Sequence, residues 1–141
     1  MIRKATAVWQ GDLKSGSGNL SATSGVLSNT PYSFATRFED KPGTNPEELI
    51  AAAHAGCFSM ALSGELGKAG LKAERIETNA EVTLETVDGK PTVTKSHLRL
   101  KARVPGASKE QFETIANGAK AGCPISRLLN AQISMEAVLE G

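Results

Sequence analysis

A chain of 141 residues is sized for one domain, here 1–141, and can bury about 68–70% of the surface that its unfolded form exposes. With 40% hydrophobic and 22% charged residues the composition is that of an ordinary globular protein, and a net charge of +1 argues against a large nucleic-acid footprint. No apolar run of about 18 residues is free of polar breaks, so no membrane span is expected.

The N-terminal Met1, Ile2, Arg3 and Lys4 lead into no apolar stretch of signal-peptide type, and the chain reads as cytoplasmic. In a reducing compartment its two cysteines are expected to be free, catalytic or redox-sensing rather than structural.

Residues 5–9 alternate weakly as a first strand, and the Gly- and Ser-rich residues 12–18 are a turn signal. Residues 19–23 return as a second strand, and 26–36 carry a third, interrupted by Asn29 and Pro31. Residues 37–43 read as a connecting loop. Trp9 and Phe38 read as core or cleft wall.

The loop delivers the chain to its most distinctive stretch. Thr44 or Asn45 can cap a helix there, and Pro46 suits the first helical position, where its missing N–H costs nothing. Glu47 and Glu48 then complement the positive end of the helix dipole. From Leu49 to Leu62 the only strongly polar side chain is His54. A helix apolar all round is expected to be covered on every side, and the glycines at 67 and 70 supply its stop.

Residues 76–87 alternate as the clearest strand, with Ala80, Val82 and Leu84 on one face. Asp88 and Gly89 form a hairpin turn pair. In the return strand, 92–104, Leu98, Leu100 and Ala102 face inward, and His97, Arg99, Lys101 and Arg103 outward. Ser108 caps an amphipathic helix that carries Phe112, Ile115, Ala116 and Ala119 and ends at Gly122. Cys123 caps a short further helix with Pro124 in its first turn, and Ile133, Met135, Ala137 and Leu139 alternate in a last strand. Strands, helix, hairpin, helices and strand in that order predict an α+β fold with mainly antiparallel sheets around a long buried central helix.

The cysteines carry the chemistry. They form no CxxC pair and no fourfold Cys/His spacing, so a structural zinc site is not expected. Cys57 can be read as a small buried hydrophobe or as a reactive thiol. Cys123 stands at a helix start, where unpaired N–H groups and the dipole favour a thiolate. His54, three residues before Cys57, can serve as a base for the thiol or as a hydrogen-bonded core histidine. His97 lies on the solvent face of its strand and is assigned no role.

Several stretches together resemble the OsmC/Ohr family, named for osmotically inducible protein C and organic hydroperoxide resistance protein. They are the Asn45-Pro46-Glu47-Glu48-Leu49 helix start, the Ala-rich helix reaching Cys57, and Cys123-Pro124-Ile125-Ser126. Residues 32–39, Gly43-Thr44-Asn45-Pro46 and Trp9-Gln10-Gly11-Asp12 resemble the OsmC branch in particular. The resemblance covers essentially the whole chain. It implies a thiol peroxidase that reduces organic hydroperoxides to alcohols, with Cys57 peroxidatic, Cys123 resolving, and Arg37 and Glu47 as charged partners of the reactive thiolate. It further implies an intertwined homodimer, no bound cofactor, and a dithiol reductant of the lipoyl type.

Elementary electrostatics and the resemblance initially favour different attacking thiols. A helix end contributes about 0.3–1 kcal/mol, less than one pKa unit. A guanidinium about 4 Å away, at an effective dielectric of about 20, contributes roughly 4 kcal/mol, or about three units. Arg37 in contact with Cys57 would therefore decide the order, and Glu47 would orient it through the planar fork of the guanidinium. The alternatives are a redox sensor that oxidises once without turnover, and a non-enzymatic protein whose cysteines are both core.

Overall fold

The computed structural model describes residues 1–141. The chain divides into two compact units, Met1–Leu49 and Ile50–Gly141.

The first unit is built on an antiparallel sheet in the order β1 (Ala5–Gln10), β2 (Ser17–Ala22), β3 (Thr30–Tyr32). Its turn is tied by Asp12 Oδ1, which accepts from the N–H and the hydroxyl of Ser15, both at 2.7 Å. Trp9, Gly18 and Tyr32 face one another across the three strands. A Cβ at Gly18 would sit 2.5 Å from the Tyr32 ring and 2.6 Å from the Trp9 ring. The glycine therefore lets the two rings close over the sheet, 5.4 Å apart and tilted by 59°.

The third strand is shorter than the expected 26–36, and part of the expected loop is a helix, α1 (Phe34–Phe38). The physical reason is local. Ser33 Oγ accepts from the Thr36 N–H at 3.3 Å, and Thr36 Oγ1 accepts from the Ser33 N–H at 2.9 Å. This reciprocal capping box ends the extended run and starts a helical turn. Its signal, Ser33 followed three residues on by Thr36, is present in the sequence. The consequence is that Arg37 stands on a helix rather than in a loop.

Helix α2 (Pro46–Lys68) begins in the first unit and continues through the second. Of the two candidate caps, Asn45 is the one used: its Oδ1 accepts from the Glu48 N–H at 2.8 Å. At the other end Gly70 takes φ +75°, Gly70 N–H bonds Gly67 O and Leu71 N–H bonds Leu66 O, the Schellman arrangement that the glycine makes possible.

In the second unit the sheet runs β4 (Arg75–Val87), β5 (Lys90–Arg103), β6 (Gln132–Glu140). Asp88 and Gly89 both have positive φ, 50° and 76°, as a two-residue hairpin loop with the right twist requires. Strands β5 and β6 pair in parallel, because α3 (Lys109–Gly122) and α4 (Pro124–Leu128) make a crossover between them. The outer face carries Arg99 between Glu81, at 2.8 Å, and Glu136 on the opposite neighbouring strand. Exposed pairs of this kind are screened by solvent and contribute little to stability.

The core lies between α2, β5 and α3. His54, Phe58, Leu62 and Leu66 recur at steps of four on α2 and are its buried residues. They share the core region with Leu98, Leu100 and Ala102 of β5 and with Phe112, Ala116 and Ala119 of α3. Each large side chain buried this way stabilises by about 1.5–3 kcal/mol. The expected cover on every side of α2 is found on this face within one chain. Its other face presents Ala52, Ala53, Gly56, Ser63 and Gly64 to solvent, with Met60 79% exposed. By length and composition alone α2 qualifies for crossing a membrane, contrary to the reading from its polar breaks. Its buried face packs on β5 and α3 instead.

Candidate active site

Cys57 and Cys123 are both free thiols within the second unit. Cys57, half-buried on α2, precedes the core residue Phe58. Cys123 is fully buried at the junction of α3 and α4. The fold brings them close enough for each to act on the other's ionisation, across 66 residues of sequence (123 − 57).

Their environments differ. Burial pushes the Cys57 thiol above its ordinary pKa; the Ile125 N–H pulls the other way, and the neighbouring Cys123 adds to the rise. Burial also opposes ionisation of Cys123, but hydrogen bonds from the Ser126 hydroxyl and N–H, from Cys57 and from the Ile125 N–H outweigh it, so the net direction is downward. The Ser126 N–H approaches Cys123 Sγ at 3.4 Å. The direction at Cys123 agrees with a cysteine at a helix start, but the cause is more local than the helix dipole. Helix α4 has only five residues, and what holds the sulfur is its own first-turn donors, at Ile125 and Ser126, together with Cys57.

Arg37 and Glu47 come together in the first unit. Arg37 Nε lies 3.1 and 3.3 Å from the two carboxylate oxygens of Glu47, and Nη2 lies 2.9 Å from Oε1. Such a side-on fork fixes the plane of the guanidinium, which a lysine would not do. Glu47 occupies the first turn of α2 and Arg37 the last turn of α1. The two turns are tied by Asn45, whose Nδ2 donates to Thr36 O at 3.2 Å while its Oδ1 caps α2. Glu48, the neighbouring carboxylate, takes no part in the pair.

Arg37 also borders a cleft of about 250 Å³ walled by Trp9, Tyr32, Phe34 and Phe38. Its guanidinium carbon stands 5.1 Å from the centre of the Phe38 ring. Trp9 and Phe38 are thus cleft wall, one of the two readings open for them.

His54 is wholly buried, with Nδ1 2.6 Å from Ser96 Oγ and Nε2 2.7 Å from Ser126 Oγ. Both ring nitrogens are taken by hydroxyls, so the histidine is bonded in the core rather than free to act as a base on Cys57. Sequence reasoning missed Ser96 and Ser126. Ser126 had a signal, since it stands three residues after the capping Cys123. Ser96 had none, being one of several small polar residues in its strand. His97 bonds Ser134 Oγ at 2.5 Å across β5 and β6. No three His, Cys, Asp or Glu side chains gather in a group that could hold a metal ion.

The family model for OsmC-like proteins matches residues 38–138. The chain is 50% identical to the peroxiredoxin OsmC of Escherichia coli over 138 residues, 98% of this chain and 96% of that one. Among solved structures, an OsmC-like protein of Vibrio cholerae superposes with a TM-score of 0.78 at 22% identity, covering 98% of this chain and 99% of the other. The organic hydroperoxide resistance protein OhrB of Bacillus subtilis does so at 0.68 and 23%, covering 97% and 98%. The two structural likenesses concern the fold. The class is that of cysteine-based enzymes of the peroxiredoxin type. The chain belongs to the OsmC family.

Proposed function

We propose that the protein reduces organic hydroperoxides to alcohols through a Cys57 sulfenic acid and a Cys57–Cys123 disulfide. The observation that carries this reading is the neighbouring pair of free thiols, one half-buried and one buried, brought together from distant parts of the chain. Curated relatives named as a peroxiredoxin and as organic hydroperoxide resistance proteins support it.

In the first step the Cys57 thiolate attacks one peroxide oxygen, the O–O bond breaks, and the alkoxide takes a proton to leave as alcohol. Arg37, oriented by Glu47, stabilises that developing negative charge. Glu47 is itself negative, so its part is positional. In the second step Cys123 attacks the sulfenic sulfur, the S–S bond forms, and hydroxide leaves as water. A dithiol of the lipoyl type then exchanges the disulfide away. The aromatic cleft beside Arg37 suits an apolar peroxide better than hydrogen peroxide. A second copy of the chain covers the open face of α2, and the assembly works in the cytoplasm without a bound cofactor.

Mass spectrometry after a single equivalent of an alkyl hydroperoxide tests the order of the thiols. Cys57→Ser is expected to abolish the reaction. Cys123→Ser is expected to react once and to leave a sulfenic acid on Cys57 that is open to over-oxidation. A specific observation favours the reverse order, because hydrogen bonds lower Cys123 while burial raises Cys57. Oxidation of Cys123 in the Cys57→Ser variant would establish that order.

A further inference from the structure

His54 is a buried group that the cycle above does not use. It continues the ridge of Phe58, Leu62 and Leu66, where a leucine would bury apolar surface without a polar group to satisfy. Instead the wholly buried ring is held at both nitrogens, by Ser96 at 2.6 Å and Ser126 at 2.7 Å. Ser96 is wholly buried as well. One line of polar groups thus joins β5, α2 and α4. It ends at Cys123, whose sulfur the Ser126 N–H approaches at 3.4 Å.

The direction of the protons along this line matters. A serine hydroxyl has one proton, and it can donate to the Cys123 sulfur only if it is not donating to the imidazole. Burial keeps His54 neutral by lowering its pKa, so the ring has one N–H and one lone pair. Which nitrogen holds the proton is set by the partner of the other. With the Ser96 hydroxyl donating to Nδ1, the N–H sits on Nε2 and points at Ser126 Oγ. The Ser126 proton is then free for the sulfur.

We propose that His54 is a positioning residue for Cys123: with its tautomer set by Ser96, it orients Ser126 so that the serine hydroxyl donates to the Cys123 sulfur. The inference rests on the reading of Cys123 as the resolving thiol. In that step the Cys123 thiolate forms the S–S bond, the S–O bond of the Cys57 sulfenic acid breaks, and the departing hydroxide takes a proton from solvent. Ser126 keeps its own proton throughout and stabilises the thiolate before it attacks.

The test titrates the thiolate absorbance of Cys123 in a Cys57→Ser background. Ser96→Ala removes the group that sets the tautomer, His54→Phe removes the donor, and His54→Gln returns an N–H near the place of Nε2. Ser96→Ala and His54→Phe are expected to move the Cys123 titration upward by roughly half a unit to one unit, the worth of one hydrogen bond. His54→Gln is expected to move it less than His54→Phe. Disulfide closure with both cysteines present should slow in the same order. Should His54→Phe not fold, Ser96→Ala and His54→Gln still decide. A Cys123 titration that is the same with and without Ser96→Ala overturns the proposal, as does a His54→Gln shift as large as that of His54→Phe. Sulfenic acid formation on Cys57 is measured alongside in the Cys123→Ser chain, where no resolving thiol removes it. Its absence overturns the peroxidase reading itself, a failure that the Cys123 titration does not share.

Discussion

The guanidinium of Arg37 meets the carboxylate of Glu47 edge to edge, through Nε at 3.1 Å and Nη2 at 2.9 Å from the same oxygen. Glu47 is 12% exposed and Arg37 37%, so the carboxylate is the more enclosed anchor and the guanidinium the more accessible group. An arrangement that only neutralised two charges would not need two nitrogens on one carboxylate. This one fixes a plane and leaves Nη1 of Arg37 unengaged by Glu47.

Burial and the neighbouring Cys123 already raise the Cys57 thiol, so a guanidinium that acts on the thiolate works against both. On that reading Arg37→Ala is expected to move the Cys57 titration further upward and to slow oxidation at neutral pH. Arg37→Lys keeps the charge but loses the fork, and should recover the rate only in part. Glu47→Ala should leave the fold nearly intact and cost less rate than Arg37→Ala. The measurement is the pH profile of thiol oxidation. Identical profiles for Arg37→Ala and the unsubstituted chain would show that the guanidinium does not act on Cys57.

His54 ties stability to pH. Its folded pKa lies below the ordinary 6.5 because of burial. The unfolded chain therefore takes up a proton at pH values where the folded chain does not, and stability is fully present above 6.5 and lost as pH falls toward the folded pKa. Urea unfolding at neutral and mildly acid pH should show that loss in the unsubstituted chain and less of it in His54→Gln. An equal loss in both would assign the acid sensitivity to other groups.

The open face of α2 is expected to be an interface between two copies of the chain. Ala52, Ala53, Gly56 and Gly64 allow close helix approach, and Met60 projects from among them. A permanent interface should bury more than about 2,000 Å² in total. Sedimentation at micromolar concentration should give a dimer, and Met60→Glu should weaken it by placing a charge in an apolar contact. A stable monomer for the unsubstituted chain would remove this part of the reading.

Much of the fold was legible in the residues themselves, because it depends on interactions between near neighbours. Asn45 and Pro46 start α2, Gly70 ends it, Asp88 and Gly89 turn the hairpin, and Ser108 and Cys123 cap their helices, each through groups within a few positions. The alternation of Leu98, Leu100 and Ala102 likewise announced which face of β5 is inward. Helix α1 shows how narrow the margin can be: the Ser33 and Thr36 cap was written in the sequence but lay inside a run that also suited a strand.

What tertiary structure alone decided are the relationships that join distant segments. Nothing in sequence spacing places Cys123 beside Cys57, pairs β6 in parallel with β5, or aims the two nitrogens of His54 at Ser96 and Ser126. Those contacts follow from the packing of α2, β5 and the α3–α4 crossover around one core. The acidity of each thiol follows in turn, because a pKa answers to burial and to donors a few ångströms away in space.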